Sequence, residues 1–556
     1  FFFKQKTAYE ISTRDWSSDV CSSDLAMSSD VHFPPLPKPG TRFVLPALHG
    51  AAEALVLARA AHQLKAEGKT LVVVVADAPA AQRLLSEISW FGKRDALRVH
   101  LLPDWETLPY DAFSPHQDLV SERLATLHEL QQGQCDVLIA PATTVLLRMG
   151  PPSFLAAHTF FFKQGETLAE AKLKSQLTLA GYAHVAQVMS PGEYSIRGGL
   201  IDLFPMGSAL PYRLDLFGDQ IESIRTFDVD TQRSLYPVRE IRLLPGREFP
   251  LDDTARSAFR SRWREVFEGD PSKANIYRDI GNGIAAAGIE YYLPLFFEHT
   301  ATLFDYLPEA SVFALVGDID AAIQRFWSDT RSRYQFLKAD RERPLLPPEA
   351  IFLSDEDFFT QLKPHGRWVL QEPAAESELS AAVPDVAVNR RLEDPLAPLR
   401  AFLGQTERRV MICADSSGRR ETLRAYFDEY ALPITVTESL DNFMRSSERL
   451  MLCVAPLHAG ALLQPALGNI VLITETELYA GSGRRAGRKR QEAVTQVDAM
   501  VRDLSELKIG DPVVHINHGI GRYQGLISLD LGEGETEFLH LEYAKQSKLY
   551  VPVRSE

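Results

Sequence analysis

Phe43 to Ala76 (FVLPALHGAAEALVLARAAHQLKAEGKTLVVVVA) decides the fold class. It reads as a strand, a turn containing Gly50, a helix rich in Ala and Leu from Ala51 to Lys65, and a second strand from Leu71 to Ala76. The second strand is apolar at every position, the signature of a strand covered on both faces. Outward from there, helices Ala80 to Trp90 and Asp118 to Gln131 and strand Val137 to Ala140 continue the alternation. Apolar β runs alternating with helices predict a parallel, doubly wound α/β sheet. Between about 159 and 244 the texture changes to a helix, Leu168 to Ala180, followed by strands Leu200 to Phe204, Tyr212 to Phe217 and Ile221 to Asp228. That predicts an α+β insert within the α/β domain.

The expected division is α/β domain 27–158, insert 159–244, second part of the α/β domain 245–373, linker 374–391, and a small α/β domain 392–482. A basic linker, 483–502, and a small β-barrel, 503–556, complete it. The first linker rests on the Glu/Ala/Pro composition of Glu372 to Pro384. The barrel rests on four short runs separated by turns: Pro512 to Ile516, Gly519 to Leu526, Thr536 to Leu541 and Leu549 to Val553. Residues 1–26 fit no targeting class and resemble translated sequencing-adapter sequence, so the native start is expected at Met27. The end, just after the run Lys548 to Val553, is expected to cut a domain.

With 556 residues the chain is long enough for about four domains. Its 59 Lys+Arg against 74 Asp+Glu leave a net charge of −15, which argues against a surface that sits wholly on phosphate. Cys21, Cys135, Cys413 and Cys453 are scattered, which excludes a disulfide scaffold or Cys-ligated zinc and suits the cytoplasm. The apolar run Leu71 to Ala76 is far below the roughly 20 residues that span a bilayer.

A phosphate loop needs Gly amides, then Lys and a hydroxyl for phosphate and magnesium. Pro46 to Glu53 (PALHGAAE) keeps only Gly50. The acidic magnesium site, expected as Asp-Glu after a later strand, is replaced by Gly317-Asp318-Ile319-Asp320. Both halves of an ATP site are degenerate, so no catalytic residue, nucleotide cofactor or metal is expected here. His515 and His518 have no third ligand nearby, and their spacing on a strand puts them on opposite faces. Ser416-Ser417-Gly418 reads as a helix cap. Neither Cys413 nor Cys453 has a neighbouring His to make it a nucleophile. Trp105 to Gln117 (WETLPYDAFSPHQ) is either a packed lid or a functional loop. Arg484, Arg485, Arg488, Lys489 and Arg490 are a solvated linker or a phosphate contact.

Several blocks carry a resemblance. Trp105 to Gln117 with Ser121-Glu122-Arg123-Leu124 resembles the N-terminal module of the bacterial transcription-repair coupling factors, the Mfd family. Gly192-Glu193-Tyr194, Ile196-Arg197-Gly198-Gly199, Asp202-Leu203-Phe204-Pro205, Arg213-Leu214-Asp215 and Phe217-Gly218-Asp219-Gln220-Ile221-Glu222 are similar to a part shared by Mfd and UvrB. Gly288 to Tyr292 and Asp305 to Pro308 continue it. Gly510 to His515 with His518 to Tyr523 resembles the family's RNA-polymerase-interacting domain, a Tudor-like barrel shared with CarD regulators. UvrB keeps a working phosphate loop and lacks that barrel, so the degenerate ATP site points to Mfd over a UvrB-like helicase subunit.

The resemblance implies a protein that recognises stalled RNA polymerase through its β subunit. It implies displacement by ATP- and magnesium-driven translocation on double-stranded DNA, through a motor C-terminal to the barrel, and recruitment of UvrA through the insert. A monomer is expected, with no membrane partner. By position the UvrA-facing residues are Arg197, Arg213 and Phe217, and the polymerase-facing residue is Leu529, before an acidic turn at Asp530 to Glu537. The competing readings are that Arg197 braces a turn, that Arg213 pairs with Asp215, and that Leu529 is a core leucine.

Overall fold

A computed structural model describes residues 33–45, 48–370, 377–479, 512–515, 519–530, 535–543 and 548–552. The first sheet has six strands, all parallel, in the order Arg42–Leu45, Gly366–Leu370, Val312–Val316, Leu71–Val75, Val137–Pro141, Val99–Leu101. Leu71–Val75 is buried at every position because it lies inside the sheet with both faces covered. Helix Ala52–Ala66 is buried along most of its length, and its small Ala side chains let neighbouring elements approach closely. One continuous core joins that helix to the first sheet and to a second one.

The second sheet runs Ser380–Ala381, Ala461–Leu463, Ile470–Thr474, Arg409–Ala414, Leu450–Val454, Thr435–Val436. Its central strands are parallel, and Ala461–Leu463 pairs antiparallel with both neighbours. Ser380 and Ala381 fall within the expected linker 374–391, yet both are buried as an edge strand, and the Ser380 hydroxyl accepts the His49 amide at 2.9 Å. A chain pinned into a sheet edge is not a free linker. Helix Ser417–Glu429 starts at Ser416, whose hydroxyl accepts the Arg419 amide.

The insert is entered and left through an antiparallel pair, Phe160–Lys163 with Glu240–Leu243. It carries a six-stranded sheet: Ala183–His184, Glu193–Arg197, Leu200–Phe204, Tyr212–Phe217, Gln220–Phe227, Ser234–Val238. The last five strands form an antiparallel meander. Side chains alternate between faces. Ile196, Ile201, Leu214, Ile224 and Val238 line up across the register to form the inner face, which packs with Leu173 and Leu177 of helix Glu170–Leu179 in one core.

The C-terminal unit is a four-stranded antiparallel meander, Pro512–His515, Gly519–Asp530, Glu535–Glu542 and Lys548–Pro552. The register slips between Tyr523 and Gly525, where Gly525 takes a positive φ that only glycine adopts readily. Tyr523 and Leu541, aligned across the ladder, are buried.

Candidate interaction surfaces

The outer face of the insert is built by register. Ser195, Asp202, Arg213 and Arg225 form one cross-strand row, and Arg197, Leu200, Asp215 and Ser223 the next. Asp202 is 1% exposed, and a carboxylate so deeply buried must be paired. Its Oδ1 accepts Arg213 Nε at 2.6 Å, and its Oδ2 accepts Arg213 Nη2 at 2.9 Å and Arg197 Nη2 at 2.5 Å. Arg213 also donates through Nη1 to the Gln232 carbonyl and lies 4.8 Å over the Phe227 ring. The Asp202 hydrogen bonds hold the Arg213 guanidinium above its ordinary pKa.

The structure therefore brings Arg197 and Arg213 together on one carboxylate, and the partner of Arg213 is Asp202, not Asp215. Asp215 lies along the same strand, whereas register sets Asp202 directly across from Arg213. Nor does Arg197 simply brace the turn. The turn is made by the glycines: Gly198 has a positive φ, and a β-carbon on Gly199 would press the Leu216 carbonyl oxygen at 2.9 Å. Phe217 shares the face of Arg213, four residues and roughly 13 Å along the strand, and is 79% exposed. Leu200, aligned with Asp215, is exposed on the same face. Asp202 escaped the sequence reading. The available signal was a lone carboxylate inside the apolar strand Leu200–Phe204 (LIDLF).

The turn at Gly50, where the sequence suggests a degenerate phosphate loop, is arranged differently. Gly50 takes a positive φ in the turn before helix Ala52–Ala66. The Ala51 amide, where a phosphate would be cradled, donates to the Ala459 carbonyl at 2.9 Å. A β-carbon on Gly50 would lie well inside van der Waals contact distance of the Gly460 carbonyl oxygen. Ala51 and Ala52 stand where Lys and a hydroxyl are needed, and Glu53 places a carboxylate in the first turn. Glu53 pairs with Arg83 at 2.7 Å, and Arg83 pairs with buried Glu87 at 2.9 Å. Glu87 in turn accepts the His458 amide at 2.9 Å, and burial pushes its carboxyl pKa up. Asp318 caps helix Ile319–Leu337 by accepting the Ala321 amide, and Asp320 is exposed in its first turn. ATP with magnesium does not fit these residues.

Trp105 to Gln117 divides in two. Trp105 is buried and donates to Glu248 at 2.8 Å, which also receives Arg123 at 2.7 Å. Tyr110, at positive φ, is buried and donates to the Leu346 carbonyl. Leu108 and Phe113 of the same loop are exposed. Burial pushes the Cys135 thiol up to about 12 and the Cys453 thiol up to about 11, and it raises Cys413 as well, so none is an activated nucleophile. Among the described residues no group of three His, Cys, Asp or Glu stands together to hold a metal. Among them, too, no helix is long and apolar enough to cross a membrane.

Leu529 lies inside strand Gly519–Asp530, aligned with Thr536, and the last three residues of the expected acidic turn, Glu535 to Glu537, open the strand Glu535–Glu542. The ladder continues through these positions, so Leu529 belongs to a strand and not to a loop. Cys21, His518 and the basic run Arg484 to Arg490 lie outside the described residues.

The insert coincides with a match to the UvrB interaction domain family over residues 160–249. Residues 402–478 match the MFD D3 domain, and residues 507–556 match the CarD-like/TRCF RID domain. A protein with this α/β core, this insert and these two further domains is of the repair-factor class that carries a UvrB-type interaction module. The chain is 40% identical over 527 residues to the transcription-repair-coupling factor of Haemophilus influenzae, covering 93% of this chain and 45% of that relative. It is 41% identical over 527 residues to the Escherichia coli factor, with the same coverage. To the Myxococcus xanthus factor it is 31% identical over 548 residues, covering 92% of this chain and 45% of the relative. The chain belongs to the transcription-repair-coupling factors, and it spans a little under half the length of these relatives.

Proposed function

We propose that this chain is the recruiting part of a transcription-coupled repair factor. The insert binds UvrA, and the C-terminal unit, closed as a Tudor-like barrel, grips the RNA polymerase β subunit near Leu529. Displacement of stalled polymerase by ATP- and magnesium-dependent translocation on double-stranded DNA belongs to a motor that these residues do not form. The chain acts in the cytoplasm as a monomer.

The observation that carries the reading is the outer face of the insert. Arg197 and Phe217 point outward from a rigid antiparallel sheet. Arg and aromatic side chains held on a rigid element are the residue types that dominate binding energy at protein interfaces. The filled edge at Gly50 supports a non-catalytic role for this part.

Arg197→Glu and Phe217→Ala in the full chain should each weaken binding of purified UvrA by tenfold or more, measured by interferometry, with polymerase binding unchanged. Unchanged UvrA affinity in both variants overturns the assignment. Arg213→Glu is a poorer probe, because it sets a second carboxylate against buried Asp202 and its effect would include misfolding. Calorimetric titration with ATP and magnesium should show no binding. Micromolar binding would favour a UvrB-like ATPase subunit instead.

A further inference from the structure

We propose that Asp202 is a positioning residue for partner binding, fixing Arg197 in the orientation that meets the partner's acidic group. The proposal rests on the UvrA reading of this face. It starts from a surplus. A buried carboxylate needs one well-placed guanidinium, and Arg213 supplies it through two hydrogen bonds in a fork. Arg197 adds a second cation to a carboxylate already neutralised, which leaves the cluster with a net positive charge.

The two guanidiniums are not equivalent. Arg213 has its Nε and Nη2 on Asp202, its Nη1 on the Gln232 carbonyl and one ring face on Phe227. Its side chain is 19% exposed. Arg197 is 54% exposed and bonds Asp202 through Nη2, so most of its fork faces outward. Arg213 anchors Asp202, Asp202 orients Arg197, and Arg197 offers its outer edge to a carboxylate. A long Arg side chain held at one nitrogen loses less freedom on binding than a free one. The partner surface this fits has an acidic side chain for Arg197 and an apolar recess for Phe217 and Leu200.

The test is a double-mutant cycle with purified UvrA and the full chain. Asp202→Asn keeps the shape and removes the charge, and it should weaken binding about tenfold with polymerase binding retained. In an Arg197→Ala background the same change should cost less than twofold, because the group it positions is gone. An equal loss in both backgrounds overturns the positioning role while leaving the interface standing. If Arg197→Ala alone leaves affinity unchanged, the UvrA reading of Arg197 fails, and the proposal with it. Should Asp202→Asn fail to fold, Arg213→Lys substitutes for it. That variant keeps the charge but breaks the fork, and it should show the same dependence on Arg197.

Discussion

Two regions of this molecule use the same chemistry, arginine against carboxylate, for opposite ends. Beside the turn at Gly50, Arg83 lies between Glu53 and Glu87, and Glu87 reaches on to the His458 amide. On the insert, Asp202 holds Arg213 and Arg197, and Arg197 remains half in solvent. The first arrangement ends inside the chain, where two domains' worth of residues share one core. The second ends at the surface with a charge to spare. An ion pair whose groups are all spoken for stabilises a fold, and one that leaves donors over can serve a partner.

The sharpest way to break the closed region is Gly50→Val. It adds a β-branched side chain at positive φ and drives a β-carbon into the Gly460 carbonyl. Strain and clash together should cost on the order of 4 kcal/mol of stability, read from urea unfolding. UvrA affinity of the molecules still folded should be unchanged, because the insert has its own sheet. A variant as stable as the parent would mean that residues 459–460 do not press on the turn at Gly50.

A further carboxylate sharpens the contrast, since it is buried without the double pairing that Asp202 enjoys. Glu290 accepts the Ser114 hydroxyl at 2.8 Å, and burial pushes its carboxyl up to about 7. With the folded pKa above the unfolded one, the folded state holds a proton that the unfolded chain releases. The stability this contributes is full below about pH 4.5 and is lost as pH rises through about 7. Glu290→Gln stays neutral throughout. Relative to that variant, the parent should lose roughly 3 kcal/mol between pH 4.5 and pH 8, measured as urea midpoints at each pH. A flat difference would show that Glu290 titrates in the folded protein just as it does in the unfolded chain.

The same contrast separates what the amino-acid order reveals from what it hides. Leu71–Val75 was legible because continuous apolar character follows from burial on both faces, which is a local property. Three of the six strands in the insert's sheet, Leu200–Phe204, Tyr212–Phe217 and Gln220–Phe227, were legible in the sequence, while Ala183–His184, Glu193–Arg197 and Ser234–Val238 were not. The pairing of Arg213 with Asp202 was not, because it depends on register between strands, and Asp215 is the nearer carboxylate along the chain. Ser380 and Ala381 were hidden for a similar reason. Two polar or small residues in an Ala/Glu/Pro stretch carry no strand signal, and the neighbouring strand and the His49 amide bury them. The contact of Gly50 with Gly460 joins positions far apart in the chain, so no window could have exposed it.

The smallest expected effect tests whether the closed region owes its strength to burial or to charge as such. Arg94 pairs with Asp441 at 3.1 Å, joining the same two domains as the Glu87 contact with the His458 amide, but its side chain is 65% exposed. Exposed pairs lose their attraction to water and salt and give up side-chain freedom, so Arg94→Ala should cost less than about 0.5 kcal/mol. Arg83→Ala, which strands buried Glu87, should cost several times more. If the two variants unfold at the same urea concentration, burial is not what distinguishes these pairs. The contrast between a sealed seam and an open face would then reduce to geometry alone.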